Sequence, residues 1–213
     1  MNKILVIQIT IFLVFAGLFG YMVSYTSVYD DIKSTIVTTT CFSCIKMDPV
    51  THIDFTFETA NGQPNPEFVV DNLTKGPVFL AFRQDVCTAC DKMDPILKSV
   101  FGIDFEKKVL FYQTVSFDGS NVTFFHINLD HASGDFLNAF SIYDVDVRSG
   151  VPMFVIIALG NNSGTIQPCY ATAYSLLGES QEEHRGKFLQ DMVSMGINRY
   201  DENILNYMEQ AKS

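Results

Sequence analysis

The sequence predicts an α/β domain preceded by an N-terminal transmembrane segment, and three observations carry that prediction. The first is the stretch 76–102, GPVFLAFRQDVCTACDKMDPILKSVFG, where a short apolar run turns into apolar residues at helical spacing. The second is a set of further strand-like runs and helix-like patterns on both sides of that stretch. The third is an apolar run at residues 4–23, whose length of about 20 residues matches a bilayer core. With 47% apolar and 18% charged residues, the 213-residue chain supports a packed core and has room for one globular domain plus extras.

The N-terminal run has Lys3 before it and Asp30 and Asp31 after it, which places the N-terminus in the cytoplasm and the rest across the membrane. A cleaved signal peptide is the alternative, leaving a secreted domain. The run exceeds a usual h-region of about 7–15 residues and no A-x-A site follows, so an uncleaved signal-anchor over 1–25 is favoured. Residues 26–52 read as a Ser/Thr-rich stalk holding Cys41-Phe42-Ser43-Cys44. This pair is a candidate second dithiol, or a local structural disulfide, because neither a strand before it nor an amphipathic helix after it supplies a redox setting.

The globular domain is assigned to 53–213. Residues 52–58 alternate Ile53, Phe55 and Phe57 with polar neighbours and predict a first strand. Asn61-Gly62 marks a turn, and 66–73 a short helix. Residues 78–82 predict a buried strand, and Met93, Ile96, Leu97 and Val100 the inner face of the helix after it. Residues 109–116 and 122–129, joined by Asp118-Gly119, read as a hairpin. A helix over 136–143 follows, then a second hairpin of 153–159 and 164–174 turning through 160–163. Residues 181–212 predict a helical region that Gly196 and Asn198 break in two.

Cys87-Thr88-Ala89-Cys90 lies between the 78–82 strand and its helix. A sulfur at a helix N-terminus meets free backbone N–H groups and the positive end of the dipole, which favour thiolate over thiol. Cys90, one turn further in, is close enough to close a disulfide. Pro95 follows five residues after Cys90, and Gly150-Val151-Pro152 precedes the apolar run at 153–159.

In this ordered trio the chain resembles the thioredoxin-fold thiol–disulfide oxidoreductases, over roughly residues 53–212. The resemblance implies a central mixed β-sheet flanked by helices, with the first strand of the 109–129 hairpin an addition. It implies Cys87 as attacking thiolate and Cys90 as resolving thiol. It also implies a cis Val151–Pro152 bond and a Val151 backbone that pairs with an extended substrate segment. The chain departs from the family at Val86, where a tryptophan is usual, and at Thr88-Ala89 between the cysteines. Ala81 stands where thioredoxins bury a proton-shuttling aspartate, so proton transfer to Cys90 needs another group or water. Asp85 and Asp91 would raise the Cys87 thiol pKa, with Arg83 near enough in sequence to offset them.

Composition narrows the partners. A net charge of −10 excludes a nucleic-acid surface, which needs clustered cations. Protein thiols and disulfides are the expected partners, together with a membrane redox partner that recharges the dithiol; no cofactor is implied. Two CxxC pairs also admit a four-cysteine zinc site, but they lie much further apart than a ribbon's roughly 15–20 residues. His52, His126, His131 and His184 share no metal spacing and are assigned no metal, and Cys169 reads as a buried, inert thiol. Sequons at Asn72, Asn121 and Asn161 agree with an exported domain. The competing function class is a thioredoxin-like binding or scaffold module with an idle dithiol, which would not need the intact CxxC and Gly-Val-Pro pair.

Overall fold

The structure is a computed structural model that describes residues 52–177 and 181–210. The expected anchor (1–25) and the stalk with Cys41 and Cys44 lie outside the described residues, apart from His52. Among the described residues no helix is long and apolar enough to cross a membrane.

The chain runs β1 (His52–Thr56), α1 (Glu67–Leu73), β2 (Val78–Arg83), α2 (Thr88–Phe101), β3 (Phe111–Phe117), β4 (Ser120–Asn128), α3 (Asp135–Tyr143), β5 (Met153–Asn162), β6 (Thr165–Tyr174) and α4 (Glu182–Gln210). The strands form one sheet in the order β1-β6-β5-β2-β4-β3. Only β2 and β4 pair in parallel; the remaining neighbours are antiparallel, so the sheet is mixed. The expected mixed α/β sheet flanked by helices is what the chain forms.

β2 is apolar through Phe82 because both its faces are covered. Phe79 and Ala81 join Phe124, Phe154 and Ile156 beneath α2 and α4, where Met93, Leu97, Leu189 and Val193 close the layer. Val78, Leu80 and Phe82 join Phe125, Ile127 and Val155 against Val69 and Leu73 of α1 and Ala139 and Tyr143 of α3. Fully burying one such Phe or Leu contributes roughly 1.5–3 kcal/mol. β2, central in the sheet, is thereby fixed from both sides, and its C-terminal end is where the CxxC begins.

The extra hairpin forms as expected. Asp118 and Gly119 both have positive φ (49° and 85°), which lets the β3–β4 turn follow the strand twist. β3 lies at a sheet edge.

Two expectations are corrected. The second hairpin turns at Ser163 and Gly164 (φ 54° and 94°), not through 160–163. Asn161 and Asn162 continue β5 in register with Ile166 and Thr165, since strand pairing uses backbone groups and leaves their polar side chains in water. The C-terminal helix is unbroken from Glu182 to Gln210. A Cβ on Gly196 would sit 2.4 Å from Cγ1 of buried Ile156, so this glycine permits close helix–sheet approach. Packing on that face overrides its helix-propensity cost of about 1 kcal/mol.

Candidate functional site

Cys87 is the N-cap of α2, with extended backbone (φ −144°, ψ 95°). Its Sγ accepts a hydrogen bond from the Cys90 N–H at 3.1 Å, and Asp91 N–H donates to the Cys87 carbonyl at 3.1 Å. One donor of the helix's first turn, the Cys90 N–H, therefore caps on the first sulfur. Cys87 and Cys90 are joined as a disulfide, with Cα atoms 5.2 Å apart. Cys90 is 1% exposed and Cys87 8%, so both residues of the pair are buried. Val86, directly before Cys87, is 98% exposed.

Part of that cover comes from the loop before β5. The Val151–Pro152 bond is cis, and the Val151 carbonyl oxygen lies 3.6 Å from Cys87 Sγ. Buried Asp144 holds the loop at its base, accepting hydrogen bonds from Tyr174 Oη at 2.8 Å, Ser149 N at 2.8 Å and Arg148 N at 3.0 Å. Burial pushes the Tyr174 phenol well above its usual range, so it stays a donor. Ser175 N–H donates to the Pro152 carbonyl at 2.8 Å and ties the far side down. Between these anchors Val147 and Ser149 have φ near 51° and 52°, a left-handed backbone that is unusual for a β-branched valine. The described residues thus bring Cys87, Cys90, Val151 and Pro152 together.

The acidic neighbours are not bare charges. Asp85 accepts from Asn128 Nδ2 at 2.9 Å and meets His131 Nε2 at 3.0 Å, and the Asn128 hydrogen bond leads in holding its carboxyl below the usual range. Its backbone N–H donates to Asp130 at 2.6 Å, closing the turn before the CxxC. Asp91 pairs with Lys107 and with Arg83, and the Lys107 hydrogen bond is the main reason its carboxyl is depressed. These partners offset the field that the two carboxylates would otherwise exert on Cys87.

Sequence reasoning missed a buried charged cluster beneath α2. Arg83, the last residue of β2, is 2% exposed and forms an ion pair with buried Asp94 of α2. Its guanidinium also donates to the Gln84 carbonyl and to Asp91. The second Asp94 oxygen lies 3.7 Å from Nε2 of His126, a fully buried residue of β4 stacked on Phe105 at 4.0 Å between centroids. Neither ring nitrogen of His126 has a hydrogen-bond partner among the described residues. One signal was legible: Asp94, Leu97 and Phe101 share one helical stripe, so a carboxylate there had to be buried.

The other candidates stay apart. Cys169 of β6 pairs with Ala158, five residues along β5 from Met153, which is roughly 16 Å at about 3.3 Å per residue. Burial pushes its thiol pKa up. Cys41 and Cys44 lie outside the described residues, and the zinc reading needs them. Among the described residues no group of three or more His, Cys, Asp or Glu is placed to hold a metal.

Comparison with protein-family models, with curated proteins and with solved structures returned no match for this chain. The chemistry available to the site is therefore read from its own atoms: a dithiol–disulfide couple with one sulfur at a helix N-terminus beside a backbone carbonyl.

Proposed function

We propose that this chain is a thioredoxin-like thiol–disulfide oxidoreductase, anchored in a membrane by its N-terminal segment, whose domain acts on protein disulfides on the extracytoplasmic side. The observation that carries the reading is the meeting of Cys87 Sγ, at the N-terminus of α2, with the Val151 carbonyl. Segment 4–23 and the acidic flank carry the membrane assignment.

In the reducing direction, the Cys87 thiolate attacks one sulfur of a substrate disulfide and expels the other as a thiolate. Cys90, once deprotonated, attacks Cys87 Sγ, closes the Cys87–Cys90 disulfide and releases the second substrate thiolate. The two substrate thiolates take protons from solvent, and two electrons have passed from protein to substrate. The reverse sequence oxidises a substrate dithiol. An extended substrate segment would pair with the Val151 backbone next to the sulfurs.

Cover over Cys87 is the feature that favours the rival class, a binding module with an idle disulfide. Replacing the resolving thiol separates the two. Full-length protein carrying Cys90→Ser should accumulate mixed disulfides with substrate proteins at Cys87, and Cys87→Ser should accumulate none. Absence of adducts in Cys90→Ser, with Cys87 unreactive to alkylation after reduction, would reject the enzyme.

A further inference from the structure

We infer that Asp94 and His126 form the proton relay of the resolving thiol Cys90, replacing from α2 and β4 the titratable group that β2 lacks at Ala81. The inference rests on the proposed exchange reaction and assigns the proton in its second step.

Ala81 lies in register with His126 on the parallel neighbour β4, so both residues face the same side of the sheet, the side covered by α2. On α2, Cys90 and Asp94 are both buried and stand four residues apart, a spacing that sets Cβ atoms about 5–6 Å from each other on one face. One Asp94 oxygen is taken by Arg83, and the other is directed at His126 Nε2, 3.7 Å away. The imidazole is fully buried with both nitrogens lacking a hydrogen-bond partner among the described residues, so it has capacity for a proton.

The charges around the pair are Arg83 from β2 and Asp94 itself from α2. Lys107 approaches in the segment before β3, where it is bound to Asp91, and Lys98 of α2 lies over the Phe105 ring. Phe105 and the in-register Phe111 of β3 complete an apolar wall. In the closing step the Cys90 thiol proton passes to the Asp94–His126 pair. The Cys90 thiolate then forms the bond to Cys87 Sγ as the Cys87–substrate sulfur bond breaks.

The test follows a single turnover of full-length protein, with Cys41 and Cys44 replaced by Ser, against the small aromatic disulfide dithiobis(nitrobenzoate). The first thiolate released reports attack by Cys87, and the second reports closure by Cys90. His126→Phe should leave the first phase unchanged and slow the second by about 10²-fold near neutral pH, the usual scale of acid–base assistance. The deficit should shrink as rising pH deprotonates Cys90 without help. Asp94→Asn, which keeps an acceptor for Arg83, should slow the same phase. An unchanged second phase and pH profile in His126→Phe would overturn the relay. Independently of any variant's folding, the His126 ring signals of the unsubstituted protein should titrate differently in the dithiol and disulfide forms; identical titrations would also overturn it. Loss of the first phase would instead strike at Cys87 as nucleophile, and the ring titration would still decide on the pair.

Discussion

The carbonyl oxygen of Val151 lies 3.6 Å from Sγ of Cys87, a residue 64 positions earlier in the chain. That approach depends on the loop that leads into β5, and the loop depends on Asp144. Three donors converge on this carboxylate, from Tyr174, Arg148 and Ser149. Replacing Asp144 by Ala leaves buried donors unsatisfied and should cost about 1–3 kcal/mol in urea unfolding. If the loop positions substrate, the same variant should slow exchange with peptide disulfides more than with small aromatic ones. Equal slowing of both would remove the loop from substrate positioning.

The buried pair Arg83–Asp94 makes a second prediction. Arg83→Met leaves a carboxylate buried without its cation and should destabilise the domain by about 3–5 kcal/mol. Arg83→Met combined with Asp94→Leu should recover much of that loss, because removing both charges removes the desolvation penalty. Additive losses in the double variant would contradict a direct pairing.

A third prediction concerns the helix–sheet approach at Gly196. Gly196→Ala improves helix propensity by about 1 kcal/mol but forces a methyl group against Ile156, so the net change should be destabilising by about 1–2 kcal/mol. In an Ile156→Ala background the added methyl group enters vacated space, and the same change should become neutral or stabilising. A double-mutant cycle by chemical denaturation reads this coupling.

Asp91 makes the acid-pH prediction. Its carboxyl is depressed in the folded state, chiefly by Lys107, so its ionised form stabilises the fold above the unfolded value of about 3.9. That contribution fades as the pH falls below about 3.9 and through the lower folded value. Lys107→Met should raise the Asp91 pKa in a carboxyl NMR titration and flatten the acid limb of the stability curve. It should also raise the pKa of the Cys87 thiol in the reduced protein, since Asp91 lies one turn along α2 with less cationic compensation. An unmoved Cys87 alkylation profile would show that Lys107 does not reach the sulfur.

Cys169 makes the control prediction. It is fully buried, burial raises its pKa, and its sulfur packs at Gly160 beside Phe57. Alkylating reagent should leave Cys169 unmodified in the native reduced protein and label it fully in urea. Native labelling at a rate matching Cys87 would refute its assignment as an inert core thiol.

Much of this architecture was legible because apolar patterning reports burial directly. The run at 78–82 declared a strand covered on both faces, and Asp118-Gly119 declared a turn needing positive φ at two successive residues. The dithiol was legible because a cap and its helix are adjacent in sequence. What stayed hidden was set by partners far along the chain. Gly196 looked like a break because its contact, Ile156, is forty residues away. Nothing local to Arg83 pairs its guanidinium with Asp94, eleven positions further along the chain. His126 lies in an apolar run, and nothing local says that its register partner is Ala81.

β2 is one of the interior strands of the six-stranded sheet. Its amides are bonded into both β4 and β5, so they exchange with solvent only when the sheet itself comes apart, whereas edge strands β1 and β3 open locally. The sulfurs therefore follow directly on an interior strand, whose exchange should track opening of the sheet. Deuterium uptake across 78–83 should be the same in the dithiol and disulfide forms, with redox-dependent uptake confined to the turn at 84–88 and the loop at 144–151. A redox cycle would then be a change at the tip of a strand that keeps time with global unfolding alone.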